Sequence, residues 1–151
     1  VIIWNRILAT VDEHESSLQA VHYLASVLGG SDACQVHLLS VWQTPSPDAE
    51  PDPAKRAAAA ASLQTLLQGR LDQARQILVE AGLPADNVSI ELAEAGNHTI
   101  AGSIMERQAE GGYGTIVLGR RGVSKTEEFL FGSVSSMVMH RAKDCAVWVI
   151  S

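Results

Sequence analysis

Thr115-Ile116-Val117-Leu118-Gly119-Arg120-Arg121-Gly122, followed after nine residues by Gly132-Ser133-Val134-Ser135, is the stretch that orders the rest of the chain. Residues 115–118 are a short apolar run, which predicts a buried strand. Gly119 and Gly122 let the backbone turn, and Ser133 is a residue type that starts helices. Written as G-x2-G-x9-G-S, the layout of strand, glycine loop and helix suits a phosphate group. Glycine lets the main chain approach an anion closely, and N–H groups at a helix N-terminus attract negative charge. A lone glycine pair would signify only a chain reversal; three glycines and a serine in this setting point to phosphate.

Working outward, every other segment alternates in type. Residues 2–11 form a β-rich run that stops at Asp12, and Leu18, Val21, His22, Ala25 and Leu28 then recur at helical spacing. Gly29-Gly30 ends that helix, as a left-handed cap does. Residues 35–42 read as a second strand. Residues 44–53, with four prolines, cannot continue a sheet and form an exposed connection within one domain. Residues 54–82 carry the longest helical pattern, with Leu63, Leu66, Leu67, Leu71, Ala74, Leu78 and Ala81 on one stripe. Val88, Ile90 and Leu92 alternate with Ser89, Glu91 and Ala93 as a strand with one more polar face. A helix bearing Ile100, Ile104 and Met105 runs to Gly111-Gly112, a helix follows from Ser133 to about Arg141, and 146–150 is the last strand.

The order β-α-β-α-β-α-β-α-β predicts an α/β fold, a single domain over 1–151 with an open parallel sheet and helices on both faces. Ligands of such sheets bind beyond the C-terminal strand ends, at the switch point of the strand order. With order 3-2-1-4-5, strands 1 and 4 flank that point. Asp12 ends one and Gly119 the other, so an acid and a glycine loop meet at one crevice.

Composition excludes other classes. The chain has 151 residues and is 46% hydrophobic, enough for one core. Its formal net charge of −6 argues against broad nucleic-acid or membrane-surface binding. No apolar run approaches the roughly 20 residues that span a bilayer. The chain opens on Val, as a trimmed or excised piece would. Cys34 and Cys145 lie far apart, which suits a reduced, cytoplasmic setting with both thiols as small core hydrophobes.

The candidate binding set is Thr10, Asp12, Val41, Leu118, Gly119, Arg120, Arg121, Gly122, Gly132, Ser133, Val134 and Ser135. Gly119, Gly122 and Gly132 supply close main-chain approach. Ser133 supplies a hydroxyl and an N–H, or an ordinary N-cap, or both; Val134 and Ser135 add N–H groups from the first helical turn. Arg120 and Arg121 either clamp phosphate oxygens or face solvent, and Lys125, Glu127 and Glu128 do not make an uninterrupted basic cradle. Asp12 either accepts hydrogen bonds from a ribose or an adenine amine, or approaches phosphate-bound Mg²⁺, or caps the first helix. Val41 can pair its backbone with an adenine edge. The spacings of Walker A, G-x-G-x-x-G, H-E-x-x-H and G-x-S-x-G are absent, the five histidines lack metal-ligand spacing, and no base is poised on a nucleophile.

These residues resemble the universal stress proteins over almost the whole chain. The resemblance rests on residues 6–12, residues 36–41, Gly96, the closing run 145–150 and, most specifically, Gly119-x2-Gly122-x9-Gly132-Ser133-Val134-Ser135, the signature of the ATP-binding branch. It implies a five-stranded sheet in the order 3-2-1-4-5, of the adenine nucleotide alpha hydrolase-like type, dimerised through the last strand. It implies ATP, or ADP or AMP, in the crevice, with Asp12 and Val41 at the nucleoside end and the glycines, Ser133 and Ser135 at the phosphates. Glu13-His14 departs from the Gly-Ser common in the family after the first Asp, Arg120-Arg121 make the loop more basic, and Gly114 replaces a common Asp. The leading expectation is a nucleotide-dependent switch or partner-binding module in stress response, a homodimer through strand 146–150 with an unknown protein partner. The alternatives are a slow ATPase or adenylyl-transfer enzyme, and a structural dimer module without nucleotide.

Overall fold

The computed structural model describes residues 1–96, 98–119 and 133–151, with Ser133 described by its helical backbone alone. Among the described residues five strands alternate with four α-helices: β1 (Arg6–Thr10), α1 (Glu15–Leu28), β2 (Gln35–Trp42), α2 (Pro53–Glu80), β3 (Val88–Glu94), α3 (Ile100–Gly111), β4 (Thr115–Gly119), α4 (Ser133–Arg141) and β5 (Ala146–Ile150). The strands form one parallel sheet in the order β3-β2-β1-β4-β5, as expected.

Side-chain alternation along the strands sorts the core into two layers. Ile7 and Ala9 of β1, Val36 and Leu38 of β2 and Val117 of β4 pack against Leu18, Val21 and Leu24 of α1 and Leu71, Ala74 and Leu78 of α2. Their neighbours Leu8, Leu39, Ile116 and Leu118 face the other way, onto Ala101 and Ile104 of α3 and Val138 of α4. The first two crossovers therefore cover one face and the last two the other. That follows once the chain returns from β3 to lay β4 beside β1, because crossovers in parallel sheets keep one hand.

Local chemistry sets the helix ends. Asp52 accepts from Ala54 N–H with Pro53 just inside α2, and Thr99 Oγ1 accepts from Gly102 N–H at the start of α3. Gly112 caps α3 in the left-handed region at φ 64°.

Several expectations are corrected. β1 begins at Arg6, because a turn closed by Arg6 N–H to the Ile3 carbonyl precedes it; Ile3 and Trp4 are exposed. In α1 the apolar stripe runs through Leu24, and His22 is on the exposed side. Gly29 has positive φ (54°) with ψ −137°, so it lies outside the left-handed helical basin. The α2 stripe is narrower than the pattern: Leu67, Leu71, Ala74 and Leu78 are buried, whereas Leu66 and Ala81 are exposed and Leu63 is half-buried. The cause is angle: Leu66 lies one residue, about 100°, off the line of Ala60, Leu67, Leu71, Ala74 and Leu78, and Ala81 is the C-cap beyond the last turn. Both cysteines are half-buried free thiols; Cys145 packs against the core layer of α3 and α4, and Cys34 lies outside both core layers.

Candidate functional site

β1 and β4 are neighbours, yet α1 leaves β1 toward one face and α4 leaves β4 toward the other. The gap between their departures is a crevice of about 560 Å³, part of it open to solvent. Thr10, Asp12, Val41, Leu118, Gly119, Val134 and Ser135 line it, so seven of the twelve sequence candidates meet at one place. Ser133 begins α4 beside them. Arg120, Arg121, Gly122 and Gly132, like Lys125, Glu127 and Glu128, lie outside the described residues.

Asp12 is held from three sides. Val11 N–H donates to the Leu39 carbonyl at 2.9 Å, and the buried Ser40 Oγ donates to the Val11 carbonyl at 2.7 Å, fixing the chain as it leaves β1. Asp12 Oδ1 then accepts from His14 N–H at 2.8 Å, and Ser17 Oγ donates to the carbonyls of Asp12 and His14. Asp12 is thus the first residue of an Asx turn; the N-cap position of α1 belongs to His14, whose side chain makes no capping bond.

Val41 contributes its main chain. The Leu39 carbonyl is bonded on the β1 side and the Trp42 carbonyl on the β3 side, by Ala95 N–H. Residues two apart in a strand point their N–H and C=O the same way, so those of Val41 face the β1 side, past Thr10 where β1 ends. An edge offering adjacent donor and acceptor atoms could meet them there.

Gly119 has a role that the motif reading did not give it. A Cβ built there would lie 2.9 Å from the Ser16 carbonyl oxygen, 2.9 Å from Ser17 Cα and 3.0 Å from Ser17 N. Glycine is required because the end of β4 rests on the first turn of α1. At Gly114 an added Cβ would collide with the main chain of Ile3 and Trp4, so this departure from the family pattern serves packing at the opposite end of the sheet.

The walls are mainly apolar, from Val41, Leu39, Ile100, Ile104, Leu118 and Val134, and carry the carboxylates of Asp12 and Glu13. Glu13 lies 3.6 Å from His14 Nε2 at the mouth. No lysine or arginine lines the crevice among the described residues. Leu39, Ile100 and Ile104 were not anticipated from sequence, nor was the supporting Ser40; Glu13 stood out as the departure after Asp12 that bears on the fit around a ligand. Ile100 and Ile104 are spaced i, i+4 and read as core; only the placing of α3 over the strand ends makes them walls. A serine in an otherwise apolar strand was the available signal for Ser40.

A second polar cluster lies elsewhere on the α3 face. Ser89 Oγ and His37 Nδ1 are 2.7 Å apart, His37 Nε2 and Glu91 Oε2 2.9 Å, and Arg107 Nε donates to Glu91 Oε1 at 2.9 Å. The His37 ring stacks on Tyr113, whose other neighbour is the Arg6 guanidinium. Burial raises the Glu91 carboxyl, but hydrogen bonds to His37 and Arg107 and the Arg107 charge outweigh it and hold its pKa below the ordinary range. Burial, then the Asp144 carboxylate, pushes the Cys145 thiol upward, away from a reactive thiolate. Among the described residues no three His, Cys, Asp or Glu side chains are grouped to hold a metal, and no helix is long and apolar enough to cross a membrane.

Fold and crevice define an open parallel α/β domain with a cleft at its switch point. Residues 4–151 match the Universal stress protein family, and the chain belongs to it. Among solved structures it is similar to universal stress protein UspA from Lactobacillus plantarum, at 19% identity and TM-score 0.76 with 100% of each chain covered. It is also similar to a universal stress protein in complex with cAMP (17% identity, TM-score 0.67, 97% of this chain and 96% of that one). A third is the universal stress protein from Archaeoglobus fulgidus in complex with dAMP (17% identity, TM-score 0.61, 100% of each chain). At these identities the likeness establishes the fold. No curated protein matches the chain by sequence.

Proposed function

We infer that this chain binds an adenine nucleotide in the crevice and acts as a nucleotide-dependent switch or partner-binding module. One observation carries the reading: the fold gathers Thr10, Asp12, Val41, Leu118, Gly119, Val134 and Ser135 from four separate segments around one cleft. The donor set fits the ligand. Apolar walls suit a purine, the main chain of Val41 suits its edge, the Asp12 carboxylate suits ribose hydroxyls, and the first turn of α4 suits phosphate. The cAMP and dAMP held by two structural neighbours support the same class.

ATP and the G-x2-G-x9-G-S loop remain the specific form of the proposal, with Gly122, Gly132 and Ser133 at the phosphates and Arg120 and Arg121 available to them. Mg²⁺ would arrive with the phosphates, with Asp12 as the candidate protein ligand. Nucleotide bound there would alter a surface that a partner reads, in a cytoplasmic protein. Dimerisation belongs to the same proposal. β5 is an apolar edge strand, half-buried along its length, and pairing with its twin about a two-fold axis would cover it.

Calorimetric titration with AMP, cAMP and ATP, the last with and without Mg²⁺, tests the reading beside a Val134→Trp variant whose fold is checked by its melting curve. Val134 is half-buried on the crevice wall, so an indole there occupies the cleft. The expected result is binding by the natural chain and loss of at least about tenfold in the variant. Absence of binding by all three nucleotides, or unchanged affinity in the variant, would overturn the assignment.

A further inference from the structure

The crevice does not end at Val41. A second, more open cavity of about 1060 Å³, part of it open to solvent, shares Glu13, Val41 and Ile100 with it and continues toward the β3 edge of the sheet. Trp42 and Glu94 form its floor at the strand ends, and Leu63 of α2 closes it from outside. α2 supplies this wall: the half-buried Leu63 lies along the helix between the buried Ala60 and Leu67, on the side turned to the protein. The connection is pinned rather than draped: Gln43 Nε2 donates to the His98 carbonyl, and Arg56 donates to the carbonyls of Glu50 and Pro51.

We propose that this compartment admits a substituent on the base, so that the chain selects adenine nucleotides extended at N6 by an apolar or amine-bearing group. The inference rests on the nucleotide reading above. A purine edge bonded to the main chain of Val41 presents its exocyclic amine at the residue the two cavities share. A group carried on that amine passes between Glu13 and Ile100 and meets the Trp42 indole and Leu63, an apolar surface. Glu13 and Glu94 place two carboxylates on the walls, and no lysine or arginine lines them among the described residues. The compartment therefore disfavours an anionic extension, such as a second phosphate, and favours an apolar or cationic one.

Titration of the natural chain with AMP, N6-benzyl-AMP and N6-(6-aminohexyl)-AMP tests this, together with Leu63→Trp, which narrows the compartment from a half-buried position, and Glu94→Gln. N6-benzyl-AMP is expected to bind at least about tenfold more tightly than AMP. Leu63→Trp should erase that advantage while leaving AMP affinity unchanged, and Glu94→Gln should weaken only the aminohexyl ligand. AMP binding with N6-benzyl-AMP equal or weaker would overturn the compartment and leave the nucleotide reading standing. Failure of AMP and both extended nucleotides to bind would overturn the nucleotide reading, and this inference with it.

Discussion

Gly119→Ala isolates the contact between the end of β4 and the start of α1. The new methyl would sit 2.9 to 3.0 Å from three atoms, the Ser16 carbonyl oxygen and Ser17 Cα and N, where ordinary contact begins at 3.4 Å. All three are main chain, so no side chain can swing aside; the strand end or the helix turn must move by about half an ångström or more. Overpacking of this kind costs about 1–3 kcal/mol. For a chain of this size that corresponds to a fall in Tm of about 2–12 °C. The displacement would also reach the crevice, because Ser17 holds the carbonyls of Asp12 and His14. Urea unfolding measures the effect, with Gly69→Ala as the control. Gly69 lies within α2, and a Cβ there meets nothing within 4 Å, so alanine should stabilise by about 0.5–1 kcal/mol. Gly119→Ala stability within about 0.5 kcal/mol of the natural chain, an ordinary surface effect, would refute the close-approach reasoning.

Three other perturbations test different parts. Ser40→Ala removes the buried donor to the Val11 carbonyl; about 1–3 kcal/mol of stability should be lost in urea unfolding, together with nucleotide affinity, since Asp12 follows directly. The Glu91 pKa is depressed in the folded chain, so its contribution is present above the ordinary value of 4.5 and is lost as pH falls through the lower folded value. Glu91→Gln should therefore flatten the acid side of a Tm-against-pH curve, and an unchanged slope would contradict the assigned partners. Val149→Pro probes the proposed dimer. Ala146 N–H bonds inward to the Gly114 carbonyl, so by alternation Val149 N–H faces the open edge; light scattering should then show a monomer whose circular dichroism is retained.

Particular elements show where legibility ended. The strand 115–118, the helix from Ser133 and the alternation of Val88, Ile90 and Leu92 declare themselves through local periodicity, and all three elements are observed. Leu66 misled because adjacent Leu66 and Leu67 fit different stripe angles, and packing chose the line through Ala60, Leu67 and Leu71. His22 is on the exposed side of α1 for a related reason: spacing alone admits several stripe angles, and packing against β1 and β4 selects one. Gly119 was legible as a glycine that mattered, yet its observed neighbour is the first turn of α1. Asp12 was legible as the acid ending β1, with its Asx turn to His14 and its bond from Ser17 both local, while the support from Ser40 comes from another strand.

Sequence by itself determined the alternating elements, the single domain and the meeting of Asp12 with Gly119, since hydrophobic period and crossover handedness restrict a chain of this pattern to few topologies. Tertiary structure decided what the crevice is made of. Ile100 and Ile104 became walls because the first turns of α3 lie at the C-terminal end of the sheet face that the helix covers. Glu13, Val41 and Ile100 became the join between two cavities because Leu63 of α2 lines the second one opposite the ends of β2 and β3. Local pattern fixes which side of an element is buried; the lengths and placements of its neighbours fix what that side encloses.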